Sequence, residues 1–306
     1  MSYSHYAKDL LCKTKNKRKC CDIALLYGIL INSNVFSKEK IKYVTENMTI
    51  ADKIESLTES VLKLKIKFKN AARQSYQLNI TDKKLINKIL KKFKYNELSE
   101  PEEDLYIINK NVFSCDNCMG AFMRGVFVSC GTVAEPNNGY HLEISLNNEN
   151  LALNIKNLLK DNETGTDIEF KYIKRKNSHI LYLKGSETIE DFLYYINAAK
   201  ISFDIMEIKI LKEVRNNVNR VTNLENANLK KISDASAEQI EAINAIIKDG
   251  KFESLPDELK QTAKLRLENI ELSLEEIGEL SEPKLTKSGI NHRIKKLIEI
   301  SGRERS

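Results

Sequence analysis

Few residues in this chain are of a type and spacing that could carry out chemistry. Cys115-Asp116-Asn117-Cys118 has the Cys-x-x-Cys spacing of a zinc knuckle or a redox pair. A zinc site needs two further ligands, and Cys20 and Cys21 stand adjacent with no histidine near in sequence. The pair is expected to be structural, with no metal and no cofactor. A metal or thiol-switch role would require the fold to bring Cys12, Cys20 and Cys21 close. His5, His141 and His179 are scattered, without Ser or carboxylate at triad-like positions nearby. Neither GxxxxGK(S/T) nor GxGxxG occurs. No enzyme signature is present, and no small-molecule substrate is expected.

Charge is more informative. Lys plus Arg exceed Asp plus Glu by 49 to 43, a net +6, but the excess is segregated. Residues 61–94 carry eleven basic side chains, among them Arg73, against the single acid Asp82. Residues 284–306 carry seven basic and two acidic side chains, whereas 253–282 carry nine acids and three bases. Surfaces dedicated to a polyanion are segregated in this way. In Lys63-Leu64-Lys65-Ile66-Lys67-Phe68-Lys69 the alternation is strict, and strand side chains alternate between faces. On a strand, Lys63, Lys65, Lys67 and Lys69 would share one face above Leu64, Ile66 and Phe68. Such a face suits a duplex backbone, where each neutralised phosphate releases counterions. About 105 residues later Lys171, Lys174, Arg175 and Lys176 precede the apolar strand HILYLKG. The alternative is a set of solvated lysines from an A/T-rich genome.

The elements that would position these residues repeat. CCDIALLYGILINS (20–33) is an apolar helical run containing Gly28, and CMGAFMRGVFVSCG (118–131) is another, containing Gly125, 97 positions later. Each leads into a strand-like stretch (FSKEKIKYVTEN, then GYHLEISLNNEN) and a helix (51–62, then 151–160). Two strands (about 64–80, then 167–184) and a closing helix (82–94, then 186–198) complete each unit. The chain therefore reads as two α+β lobes, 1–100 and 101–212, with the joint at Pro101 in NELSEPEED. Residues 213–250 read as a polar helical connector in which Leu224, Ala227 and Ile232 are the sparse apolar positions, and 251–306 as an all-α domain.

That last domain has helix-turn-helix spacing. Leu259–Leu267 is one helix, and Ser273 caps a second with Glu275 and Glu276 in its first turn. After a turn at Pro283, a third helix aligns Ile290, Ile294, Leu297 and Ile298. Thr286, Lys287, Ser288, Asn291, His292 and Arg293 are placed to meet base edges and phosphates; Lys295 and Lys296 suit phosphate, which positions without specifying. An ordinary helical hairpin with a basic outer face is the alternative.

Composition excludes other classes. At 306 residues, 42% hydrophobic and 30% charged, with 11 Gly and 4 Pro, the chain is neither collagen-like nor disordered throughout. No run reaches the ~18–20 apolar residues of a membrane span, and the N-terminal residues lack a signal-peptide pattern. Six cysteines are too sparse for a disulfide scaffold. A cytoplasmic, nucleoid-associated protein is expected.

Taken together, LLYGILINSNVFS, AFMRGVFVSCGTVAEPNNGYHLEISL, LYLKGSETIEDFLYYINA, RNNVNRVTNLENANLKK, LPDELKQTAKLRLENIELSLEEIGEL and LTKSGINHRIKKL resemble the sporulation regulator WhiA family, in the family's order along nearly the whole chain. The resemblance implies an α+β fold of two LAGLIDADG-type αββαββα lobes followed by a helix-turn-helix domain. It also implies a bacterial DNA-binding regulator linked to sporulation, cell division and chromosome segregation. LAGLIDADG helices pack through close glycine contacts, here Gly28 and Gly125, and each lobe lays a basic β saddle on DNA. Active nucleases of that fold hold Mg²⁺ with an acid at the penultimate motif position; here those positions are Ser33 and Cys130. A hard divalent cation wants anionic oxygen, so no nuclease activity is expected. The partners expected are double-stranded DNA and a second regulatory protein. Two other readings stay open: a protein-interaction scaffold whose C-terminal domain alone binds DNA, and a residual LAGLIDADG endonuclease.

Overall fold

Two apolar helices meet at the centre of the N-terminal unit. The computed structural model describes residues 2–71, 74–97, 105–160 and 168–302; Arg73 and the Pro101 joint lie outside them. Helix α2 (Lys19–Leu30) is buried continuously from Ala24 to Leu30. Helix α5 (Asn117–Cys130) is buried from Gly120 to Val128. A helix apolar on all sides must be covered on all sides, and each helix is covered by the other and by its own lobe. The two glycines make the approach possible. A Cβ at Gly28 would stand 2.1 Å from the Phe122 carbonyl oxygen, and one at Gly125 would stand 2.3 Å from that of Leu25. In both cases the obstacle is backbone, which no rotamer change relieves.

Each helix opens an αββαββα lobe. In the first, α2 is followed by β1 (Val35–Phe36), β2 (Ile41–Thr45), α3 (Met48–Leu57), β3 (Lys69–Ala71), β4 (Ser75–Ile80) and α4 (Lys83–Lys92). In the second, α5 is followed by β5 (Gly131–Val133), β6 (His141–Leu146), α6 (Glu149–Lys160), β7 (Lys171–Arg175), β8 (Ser178–Lys184) and α7 (Ser186–Tyr195). Both lobes form four-stranded antiparallel sheets of matching order, β1-β2-β4-β3 and β5-β6-β8-β7. The inner strands alternate buried and accessible residues, as a sheet with one covered face requires. Helix α1 (Tyr3–Lys13), absent from the sequence reading, precedes the first lobe and ties to the second. Ser4 Oγ donates to the Val133 carbonyl at 2.7 Å and accepts from the Val133 N–H at 2.8 Å.

The lysine-rich run departs from expectation. The chain leaves α3 through a π-turn (Thr58–Leu62), Lys63 adopts φ 55°, and strand pairing begins only at Lys69. The reason is Glu55 on α3, whose carboxylate accepts from the Phe68 N–H at 2.7 Å and from Lys67 Nζ at 2.5 Å. The alternation survives without a ladder: Leu64, Ile66 and Phe68 still turn inward while Lys63, Lys65, Lys67 and Lys69 stay exposed.

The contacts separate Met1–Lys212 from Glu213–Ser306. Helix α8 (Ala199–Lys248) supplies residues to both units: Ile201 and Ile205 are buried in the first, Ile243 and Ile246 in the core of the second. The polar stretch is therefore more than a connector, although Leu224 and Ile232 are exposed. In the second unit α9 (Asp257–Glu268), α10 (Leu274–Leu280) and α11 (Lys287–Ile300) enclose Leu259, Ala263, Ile277, Ile290, Ile294 and Leu297. Among the described residues no helix is long and apolar enough to cross a membrane.

Gly28→Ala tests the central contact. Relief of glycine's intrinsic penalty would stabilise the helix by about 1 kcal/mol, whereas overpacking against backbone costs about 1–3 kcal/mol. We expect net destabilisation of the full chain in urea unfolding; a gain in stability would refute the close approach.

Candidate nucleic-acid interface

The ends of the two motif helices border a cleft. Ser33 and Cys130 both line it, together with Asn32, Asn34, Ser129 and Asn148, around about 390 Å³. None of its lining residues is a carboxylate. The Ser33 hydroxyl is buried without a hydrogen-bond partner among the described residues. Cys130 Sγ donates to the Val126 carbonyl at 3.2 Å. Burial pushes its thiol up to about 12 despite the nearby Lys8 ammonium, so it remains a neutral thiol at physiological pH. Neutral amides, hydroxyls and a protonated sulfur do not fit the Mg²⁺ that the nuclease fold uses at this place.

The open faces of the two sheets are mixed in charge. In the second lobe, register places Lys171 beside Tyr182 and Glu143, and strand alternation puts Arg175 on the same face. Lys174, one residue out of phase with them, lies on the opposite, helix-covered side, within 3.9 Å of Glu149. Arg175 meets Glu143 at 3.2 Å, and His141 meets the same carboxylate at 2.8 Å. Lys176 sits in the β7–β8 turn with φ 50°. In the first lobe Lys69 pairs in register with Gln77, on the open face. Lys63, Lys65 and Lys67 lie on the preceding non-strand segment, with Lys65 within 3.9 Å of Glu59 and Lys67 bound to Glu55. Lys42, not anticipated, joins Lys69 on the open face through its register with Asn79. The alternation Lys40-Ile41-Lys42-Tyr43 carries that signal in sequence.

In the C-terminal unit, Thr286 caps α11 by accepting from the Gly289 N–H. Ile290, Ile294 and Leu297 turn inward, leaving Lys287, Ser288, Asn291, His292, Lys295 and Lys296 exposed. Arg293 behaves differently: its side chain is 14% exposed and meets Glu258 of α9 at 3.3 Å. It braces α11 against α9 at a groove of about 550 Å³ lined by Thr286, Ser288, His292 and Lys296. Helix α10 starts with a full capping box: Ser273 accepts from the Glu276 N–H, and the Glu276 carboxylate accepts from the Ser273 N–H at 2.7 Å. That N–H holds the Glu276 carboxyl below the ordinary glutamate range. Arg266, buried, donates to the carbonyls of Asn269 and Ile270 and so closes the α9–α10 turn.

Paired lobes interlocked through glycine-bearing helices, each with a four-stranded sheet, followed by a capped helical reading unit, define a LAGLIDADG-like domain joined to a helix-turn-helix domain. Comparison with known proteins agrees: residues 23–106 and 119–215 match the WhiA LAGLIDADG-like domain, and 218–301 match the WhiA C-terminal HTH domain. The chain belongs to the WhiA family. It is 38% identical to the probable cell division protein WhiA of Ruminiclostridium cellulolyticum, covering all of this chain and 98% of that one. It is 32% identical to the WhiA of Alkaliphilus metalliredigens, covering all of this chain and 99% of the relative. The crystal structure of full-length WhiA from Thermotoga maritima, 25% identical, superposes with a TM-score of 0.61 over the whole of both chains.

The capping box gives a local test. Ser273→Ala should cost α10 about 1 kcal/mol, read as roughly fivefold faster amide exchange across that helix in the full chain. Unchanged exchange would show that the box does not hold α10.

Proposed function

We propose that this chain is a sequence-specific, double-stranded-DNA-binding transcription regulator of bacterial cell division and the linked processes of chromosome segregation and sporulation. It acts in the cytoplasm on the nucleoid and does not cut DNA. One observation carries the reading: the N-terminal half of α11 is capped, braced and left exposed with a donor-rich face. Lys287, Ser288, Asn291 and His292 occupy the turns that enter the major groove in a helix-turn-helix. Asn and Lys there match adenine and guanine edges. Lys295 and Lys296, one turn on, serve phosphates, and Arg293 sets the angle of the helix through Glu258 rather than reading bases. The carboxylate-free cleft supports the absence of hydrolysis, because metal-assisted cleavage needs both a bound nucleophile and a charge clamp.

A second reading concerns the lobes. Lys65, Lys67 and Arg175 are paired with acids, which lowers the charge they could offer to phosphate. That favours a role for the open sheet faces in holding a regulatory protein while α11 alone grips DNA.

The test is binding, at matched salt across a series of salt concentrations, to the chain's own genomic sites, found by mapping. Asn291→Ala and Lys287→Ala should each cost ~1–3 kcal/mol and relax preference at one base position, while Lys296→Ala should weaken all sequences alike and flatten the salt dependence by about one phosphate. Unchanged affinity and preference in all three would overturn the assignment to α11. Replacing Lys42, Lys69 and Lys171 together separates the two readings of the lobes. Reduced affinity assigns their open faces to DNA, and unaltered affinity removes them from the DNA interface.

A further inference from the structure

At the N-terminal ends of α2 and α5, away from the cleft, four cysteines meet. Cys20 and Cys21 lie in the first turn of α2; Cys115 precedes α5, and Cys118 sits in its first turn. Cys20 Sγ and Cys21 Sγ stand 3.5 and 3.6 Å from Cys115 Sγ, which is 3.5 Å from Cys118 Sγ. All four sulfurs lie within 4.8 Å of one another, and this is the one group of three or more metal-ligating side chains found among the described residues. Cys12 and Cys130 do not belong to it.

We infer that Cys20, Cys21, Cys115 and Cys118 form a closed, structural tetrathiolate site for a single zinc ion. The spacing selects this ligand. Four bonds of about 2.3 Å directed to the corners of a tetrahedron place sulfurs about 3.8 Å apart. A disulfide would need about 2.05 Å, and the four sulfurs are free. An iron–sulfur cluster spreads its thiolates around several metal atoms and needs a wider cage than this one. Each thiol gives its proton to solvent as its sulfur binds, and no electron is transferred.

The surroundings fit the net negative charge of a zinc tetrathiolate. The N-termini of α2 and α5, the positive ends of both helix dipoles, lie at this end of the pair. Arg124 is fully buried on α5; one nitrogen donates to Asn16, while Nε and Nη1 have no partner among the described residues. Burial pushes the Arg124 guanidinium below its usual value, an effect that Asp22 and then the Cys21 and Cys12 sulfurs oppose, and a buried cation with unused donors calls for nearby negative charge. The Cys118 N–H donates to the Cys115 carbonyl at 2.9 Å, closing the Cys-x-x-Cys turn. Cys21 also lines an open groove of about 1120 Å³ with Asn16, Arg18, Asp116 and Asn117, which gives an ion a way in. Filled, the site bolts one lobe to the other at the end of the helix pair opposite the cleft, and replaces the expectation that these thiols have no metal.

The experiment uses the full chain purified without chelator. Elemental analysis should find about one zinc per chain. The Cys115→Ser/Cys118→Ser pair should lose it, and the Cys12→Ser/Cys130→Ser pair should keep it. Because the first pair could fail to fold, the unaltered chain is also stripped with a chelator, shown to be folded by circular dichroism, and titrated with Co²⁺. The intense visible bands of tetrahedral cobalt and a thiolate charge-transfer band should saturate at an equimolar amount and vanish when Zn²⁺ is added. Folded protein that gives no such bands overturns the site. So does zinc content unchanged by loss of Cys115 and Cys118, or a Cys115–Cys118 disulfide in freshly isolated, metal-free protein.

Discussion

The contact between α2 and α5 is the constraint on which the N-terminal unit depends. Gly28 faces the backbone of Phe122 and Val126, and Gly125 faces that of Leu25 and Ile29. The two main chains therefore interlock at a distance that any side chain would enlarge. Once the helices stand that close, the position of everything attached to them follows. Their far ends bring Ser33 and Cys130 to one cleft, their near ends bring four sulfurs together, and each carries a sheet of the same strand order. The cleft that results is lined by amides, hydroxyls, a thiol and apolar groups, with no carboxylate among its lining residues.

Much of this was legible in the sequence, because the signals involved are local and periodic. The duplicated apolar runs, the glycine in each, the strand–helix order and the Ser273 cap depend on neighbours three or four residues away. What escaped depended on residues far apart in the chain. The Lys63–Lys69 alternation reads as a strand, yet Glu55 captures the Phe68 N–H and delays pairing, and nothing in the run itself announces that acid. Helix α1 was missed since its docking partner, Val133, is 129 positions from Ser4. The cysteines were counted correctly, but adjacency in sequence argued against a site that only the pairing of α2 with α5 creates.

The division of labour in the C-terminal unit is likewise one of support and display. Ile290, Ile294 and Leu297 anchor α11, the Thr286 cap starts it and Arg293 fixes it to α9. Lys287, Asn291 and their neighbours are then freed from structural duty. Arg293 differs from those neighbours in its low exposure and in its carboxylate partner, Glu258 of α9. In the lobes Lys65, Lys67 and Arg175 are likewise engaged by acids, Glu59, Glu55 and Glu143.

The most direct measurement of the whole account is to hold the full chain on a duplex carrying one of its genomic sites and add Mg²⁺ or Mn²⁺, following retention and strand integrity in the same sample. The account predicts a stable complex with both strands intact at every metal concentration. Metal-dependent scission of either strand would contradict it.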